Sequence, residues 1–132
     1  MENNYLSFLG LAKKAGAVEI GDEASRAAIS AGKVRLVLVA SDASERTAGA
    51  FQFFSETAGI PCVEVEATRA DIGNALGKRP CAVVAICDIG FAAALAKKLA
   101  ESGNEIAKEC LSEIEARARK ISARKNKGKR KK

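Results

Sequence analysis

Apolar positions along the chain alternate between a three-to-four-residue recurrence and short continuous or alternating runs, the signatures of helices and strands respectively. In residues 4–15, Tyr5, Phe8, Leu9 and Ala12 fall at i, i+3, i+4 and i+7, and Gly16 follows Lys13 and Lys14 as a stop. Val18 to Ile20 reads as a short extended piece. Gly21 and Asp22 then open a second helix, with Ala24, Ala27, Ala28 and Ala31 as its apolar stripe and Gly32 as its end. Arg35 to Ala40 is an aliphatic run of strand length, suited to burial on both faces. Ser44 caps a third helix carrying Ala48, Phe51, Ser55 and Ala58 on one face, and Gly59-Ile60-Pro61 breaks it. Cys62 to Glu66 alternates, with Val63 and Val65 on one side and the acids on the other, which predicts a half-exposed strand near the sheet edge. Thr68 and Asp71 have capping-box spacing ahead of a short helix ending at Gly77. Ala82 to Ile86 is a second buried strand, and Phe91, Leu95 and Leu99 stripe the helix that follows, up to Gly103. The order αβαβαβαβα implies a mainly parallel or mixed sheet between helix layers, an α/β fold.

Beyond Gly103, Ile106, Cys110, Ile114 and Ile121 can share a helical face, predicting an amphipathic helix over 104–121. Residues 122–132 hold one apolar side chain, Ala123, and are expected to be a disordered basic tail. Charge separates the chain in the same place. Residues 117–132 contain ten of the 22 basic residues and no acid, leaving 12 basic against 16 acidic in 1–116, a net of −4. A mildly acidic domain thus carries a cationic extension, whose candidate contacts include Arg124, Lys125, Lys127, Lys129 and Arg130. Such a run attracts any polyanion: nucleic acid foremost, an acidic membrane surface or no partner otherwise.

Composition removes several chemistries. No apolar run approaches the roughly 20 residues that span a bilayer, and the opening residues lack a basic n-region, so a cytoplasmic location without membrane attachment is expected. The four cysteines show no CxxC pair, and with no histidine there is neither a familiar zinc set nor a His-dependent nucleophile system. No cofactor or metal is expected.

Three local constellations bear on function. Gly73-x3-Gly77-Lys78-Arg79 suggests a phosphate loop, but it has one residue too few between glycines, Arg where Ser or Thr must hold magnesium, and a position before a strand. Cys87-Asp88-Ile89 lies just past a buried strand, where ligand loops collect; Ile89 offers apolar surface there, and Cys87 reads more simply as a small hydrophobe than as a nucleophile. At Gly21-Asp22-Glu23-Ala24 a helix start supplies unpaired amides, and its acids can either serve the helix dipole or accept from base amines.

The motifs Leu9-Gly10-Leu11-Ala12-Lys13-Lys14-Ala15-Gly16, Gly21-Asp22-Glu23-Ala24, Leu36 to Ser44, Gly59-Ile60-Pro61, Ile72-Gly73-x3-Gly77-Lys78 and Val83 to Ala92 occur in one order over about residues 4–100. In this order and spacing the chain resembles the bacterial YlxQ-like group of the kink-turn RNA-binding, ribosomal protein L7Ae-like superfamily. The resemblance implies a three-layer α/β/α sandwich with a four-stranded mixed sheet over residues 1–103. It further implies a non-catalytic RNA-binding protein of ribosomal type, with structured RNA as partner and ribosomal RNA and the ribosome among the candidates. An adaptor of the same fold that binds proteins is the other reading. By resemblance the RNA face comprises Gly21, Asp22, Glu23 and Ala24, where sheared G·A pairs would sit, and Cys87, Asp88 and Ile89, which would meet an extruded base. Arg35 matches an often-basic position, and Arg26 and Lys33 are the neighbouring cations. The family's lysine one turn beyond Glu23 is here Ala27, and an often-basic position after Gly16 is Ala17.

Overall fold

The computed structural model describes residues 4–130. The elements are α1 (Asn4–Lys14), β1 (Val18–Ile20), α2 (Asp22–Ser30), β2 (Leu36–Val39), α3 (Glu45–Ala58), β3 (Cys62–Glu64), α4 (Arg69–Leu76), β4 (Val83–Ile86), α5 (Ile89–Glu101) and α6 (Glu105–Arg130). β2 and β4, the two strands without a polar residue, lie at the centre of one sheet of order β1-β4-β2-β3. β2 runs antiparallel to β4, pairing Leu36 with Ile86 and Val39 with Val83. β1 is antiparallel to β4 and β3 parallel to β2.

Alternation along the central strands divides their side chains between two cores. Leu36, Leu38, Val84 and Ile86 face the larger core, built with α1, α4, α5 and α6 through Leu9, Ile72, Leu95 and Ile114. Val37, Val39, Val83 and Ala85 face the smaller one, closed by Ala28 and Ile29 of α2 and Phe51 of α3. The result is the α/β/α sandwich with a mixed four-stranded sheet. β3 is an edge strand, as its alternation predicts. Among the described residues no helix is long and apolar enough to cross a membrane.

The helix caps follow the sequence. Ser44 accepts from the Thr47 N–H, and Thr68 and Asp71 form the reciprocal capping box, with α4 closing at left-handed Gly77. Three expectations need correction. On α2 the buried residues are Ser25, Ala28 and Ile29, while Ala27 and Ala31 are exposed. The helix is rotated because Ile29 has more surface to bury than any alanine, and Ser25 donates to the Glu19 carbonyl at 3.3 Å. On α6, Ala107 rather than Ile106 is buried, Ile106 being 44% exposed. That helix also passes 121 and continues to Arg130 where a disordered tail was expected from 122. Its last turns hold Arg and Lys, good helix formers, and Gly128 alone is too weak a breaker to end it. Lys131 and Lys132 lie outside the described residues.

Candidate nucleic-acid interface

β1 turns into α2 at Gly21, whose φ of 94° is a conformation side chains resist. Its N–H donates to the Val83 carbonyl at 2.9 Å, so α2 starts beside the first residue of β4. Gly21 provides no side-chain cap, and the amides of Asp22, Glu23 and Ala24 are those a helix start leaves without intrahelical acceptors. The carboxylates there differ. Asp22 Oδ1 lies 3.6 Å from Arg26 Nη2, whereas Glu23 is exposed and makes no ion pair among the described residues. Arg26 is held toward α3, its guanidinium 4.9 Å from the centroid of the Phe54 ring.

The loop from Lys78 to Ala82 meets this helix start. Gly21 and Asp22 on one side, with Lys78, Arg79, Pro80 and Cys81 on the other and Thr47 beyond, line one open depression. The loop is fixed by glycine: a Cβ on Gly73 would lie 2.4 Å from the Arg79 carbonyl oxygen and 2.8 Å from its carbon. The Lys78 N–H donates to the Gly73 carbonyl at 2.8 Å, and the Cys81 N–H to the Arg69 carbonyl at 3.0 Å. Asp42 secures the start of α4, accepting from the Arg69 N–H at 2.8 Å. The bond from the Arg69 N–H and the Arg69 charge hold the Asp42 carboxyl below its ordinary value. Sequence reasoning set Lys78 and Arg79 aside with the phosphate loop. The signal for them was present: two glycines bracketing a tight turn, then a Lys-Arg-Pro run leading into a buried strand.

The remaining candidates lie elsewhere. The Cys87 N–H donates to the Ala17 carbonyl at 2.7 Å and the Arg35 N–H to the Ile86 carbonyl at 2.7 Å, both at the far end of β4 from Gly21. Because β1 and β4 are antiparallel, leaving β4 brings the chain to where β1 begins, not to where it hands over to α2. The three-residue step along β4 from Val83 to Ile86 puts about 10 Å between the two ends. Cys87, Asp88 and Ile89 therefore do not join Gly21, Asp22, Glu23 and Ala24 in one face. The Asp88 carboxylate accepts from the Phe91 N–H at 2.9 Å as the cap of α5, and Ile89 is a helical residue packed against the larger core rather than an apolar loop tip. Lys33 and Arg35, both exposed, share the far end, because α2 runs from one end of the sheet to the other. Arg124, Lys125, Lys127, Lys129 and Arg130 fall on the last turns of α6.

No cysteine is an activated nucleophile. Burial pushes the thiols of Cys81, Cys87 and Cys110 up, and that of Cys62 to about 11. At Cys87, Glu19 adds to the rise and Lys33 opposes it. Among the described residues no group of three His, Cys, Asp or Glu side chains is placed to hold a metal ion.

Comparison with known proteins agrees with this architecture. Residues 4–96 match the ribosomal protein L7Ae/L30e/S12e/Gadd45 family. The RNA-binding protein YlxQ of Enterococcus faecium is 38% identical over 87 residues, 66% of this chain and 82% of that protein. The RNA-binding protein YlxQ of Bacillus subtilis is 35% identical over 88 residues, 67% and 87% of the two chains. A solved structure of a Bacillus halodurans protein with unknown function superposes with a TM-score of 0.70 at 34% identity, covering 74% of this chain and 98% of that one.

Proposed function

This chain belongs to the ribosomal protein L7Ae/L30e/S12e/Gadd45 family, and from that premise we propose that it is an RNA-binding protein whose selective face is the end of the sheet where α2 begins. The observation that carries this reading is the meeting of the α2 start with the Lys78–Ala82 loop around one depression. Two kinds of contact become available in and beside it. The free amides of the helix start offer donors, and the exposed Glu23 carboxylate, next to Asp22 of the lining, offers an acceptor matched to base edges. Lys78 and Arg79 offer cations for the phosphates that flank them. Unpaired or sheared bases held open by a bend suit such a site better than a regular duplex, whose major groove is too deep and narrow to read. The substrate class proposed is therefore a kinked RNA with tandem G·A pairs, in a ribosomal or other ribonucleoprotein setting in the cytoplasm.

Residues 122–132, with seven cations, add affinity that is blind to sequence. The selective face proposed is Gly21 to Ala24 with Lys78, Arg79 and Pro80, while Arg26 turns to Asp22 and Phe54 and lines the depression between α2 and α3. Titration of the full chain with a kinked RNA and with a straight duplex of equal length tests the reading. Selectivity of about tenfold or more is expected, lost on Glu23→Ala; equal affinity for both RNAs overturns it.

A second reading, a protein-binding adaptor, is favoured by one observation. Phe53 is 63% exposed beside Phe54 and Ile29, where α2 and α3 form an apolar depression. On that reading Phe53→Ser abolishes partner binding and leaves RNA titrations unchanged.

A further inference from the structure

α6 lies beyond the residues matched by the family, and its course gives the far end of the sheet a chemistry of its own. It starts beside the end of β3, where the Asn104 Nδ2 donates to the Glu64 carbonyl at 2.8 Å. Three turns later the Arg117 Nη1 donates to the Gly59 carbonyl at 3.2 Å, before the beginning of β3. The helix therefore runs down the edge strand and delivers its basic residues beside Arg35, whose backbone is pinned to the end of β4. Arg35, Arg117, Lys120 and Ile121 line one cleft between the body and α6, and no carboxylate lines it. Glu113 takes only the Nη2 of Arg117, at 2.7 Å, leaving Arg35 and Lys120 without ion pairs among the described residues. Lys33, on the same end, is exposed.

We propose that this cleft is a second RNA-contacting surface, which takes the phosphates of a duplex arm while the α2 end holds the bent segment. Arg35 and Lys120, convergent and uncompensated, repel one another, and a polyanion with regularly spaced charge relieves that repulsion while releasing its own counterions. Arg35 brings a guanidinium fork, matched to phosphate oxygens, while Arg117 is held by Glu113 and Gly59. In the sequence, basic residues at 117, 120, 124 and 127 recur at three- and four-residue intervals. The two ends lie about 10 Å apart along β4. One protein can therefore touch two segments of one RNA without either contact competing with the other. This inference rests on RNA being the ligand of the α2 end, and it adds which part of the RNA the extension reads.

The test uses the full chain and two RNAs sharing one kinked core, one with a minimal duplex arm and one with the arm lengthened by about ten base pairs. Arg117 is left intact because it also ties α6 to Gly59. For the wild type the longer arm is expected to raise affinity about tenfold and to steepen the dependence of log K on log salt. In Arg35→Glu/Lys120→Glu the gain is expected to vanish while affinity for the short-armed RNA stays within about threefold. Arg35→Gln/Lys120→Gln, whose milder change guards against misfolding, is expected to lose most of the gain and to lower the salt slope on the long-armed RNA by about 1.5, for two contacts at roughly 0.7–0.9 each. Persistence of the arm-length gain in both variants overturns the inference. So does an equal loss on both RNAs, which would make the residues a source of general charge. A third RNA, a straight duplex of the long-armed RNA's length, varies core shape alone: failure of the wild type to prefer the kinked core over it overturns the reading of the α2 end instead, so the two failures are distinguishable.

Discussion

At the end of the sheet where α2 begins, Gly21, Asp22 and the Lys78-Arg79 pair line one depression with the Glu23 carboxylate next along the helix, whereas at the end where β2 begins three cations line a cleft with no acid. Mixed donors and acceptors can distinguish one base edge from another, while a purely cationic surface can count phosphates and nothing more. The difference comes from how each end is built. The α2 end is made by glycines, with Gly21 opening a helix and Gly73 admitting a second backbone at contact distance. The other end is made by a helix added to the side of the domain. On the proposed reading, selectivity resides where backbone geometry is tight, and affinity where long side chains converge.

The change expected to break the first end most severely is Gly73→Ala. The added Cβ would meet the Arg79 carbonyl carbon and oxygen and the Lys78 carbonyl oxygen, none of them the movable end of a side chain. Overpacking of this kind costs about 2–3 kcal/mol, which for a domain of this size lowers the melting temperature by about 5–15 °C. Calorimetry measures that. If the Lys78-Arg79 loop is displaced as well, preference for kinked RNA falls while binding to a straight duplex persists.

Glu23→Ala is the cleaner probe, since Glu23 is exposed and holds nothing else in place. Loss of a bidentate base contact costs about 1–3 kcal/mol in discrimination, and removing an acid cannot weaken the non-specific electrostatic attraction. Arg79→Ala, by contrast, is expected to weaken binding to all RNAs by a similar factor. Ile89→Ala serves as the control: it loosens packing on the larger core and is expected to lower the melting temperature without altering discrimination. A loss of discrimination with Ile89→Ala would return the loop after β4 to the RNA face.

Much of the fold is legible along the chain because its signals are local. Four-residue runs without polar residues became β2 and β4, Thr68 and Asp71 at capping spacing became a capping box, and the alternation at Cys62 to Glu66 marked an edge strand. What was not legible depended on which of two equal faces turns inward, or on which strands are neighbours. Four alanines on α2 suggest one stripe, but burial of Ile29 and the Ser25 hydrogen bond rotate the helix and leave Ala27 outside. The candidate site divided in two for a topological reason. Local spacing shows that Cys87 to Ile89 follow a buried strand, not that this strand runs antiparallel to β1 and so ends away from α2. The same antiparallel pairing brings the loop before β4, not the loop after it, to the helix start.

Ala27→Lys sharpens the comparison by adding a cation to the selective end. The position is exposed and lies one turn beyond Glu23, on the same side of α2, so a lysine there costs no desolvation and can lean toward the helix start. The nearby cation, Arg26, is already occupied by Asp22 and Phe54. With the melting temperature unchanged, a gain of about three- to tenfold in affinity for kinked RNA is expected, matching one added phosphate contact. An equal gain for kinked and straight RNA would place position 27 outside the bent segment's reach.

The smallest expected effect concerns Asp42, which supports the selective end at one remove. Its carboxylate accepts from the Arg69 N–H and lies 3.5 Å from the Arg69 Nε, fastening the start of the helix that carries Gly73 and leads to Lys78. Because those contacts lower its pKa in the folded protein, they stabilise the fold above the unfolded carboxyl value of about 3.9, and the contribution fades as pH falls through the folded value. Asp42→Asn keeps an oxygen that can accept from the Arg69 N–H but removes the charge. The variant is therefore expected to melt slightly below the wild type at pH 7, with the gap closing as pH falls through the range below 4. Amide exchange locates the effect. The Cys81 N–H, bonded to the Arg69 carbonyl, should exchange faster in Asp42→Asn at neutral pH, while the Arg35 N–H, bonded to the Ile86 carbonyl at the other end, should not. If both amides respond alike, the two ends open as one unit, and the independence on which their separate roles depend is lost.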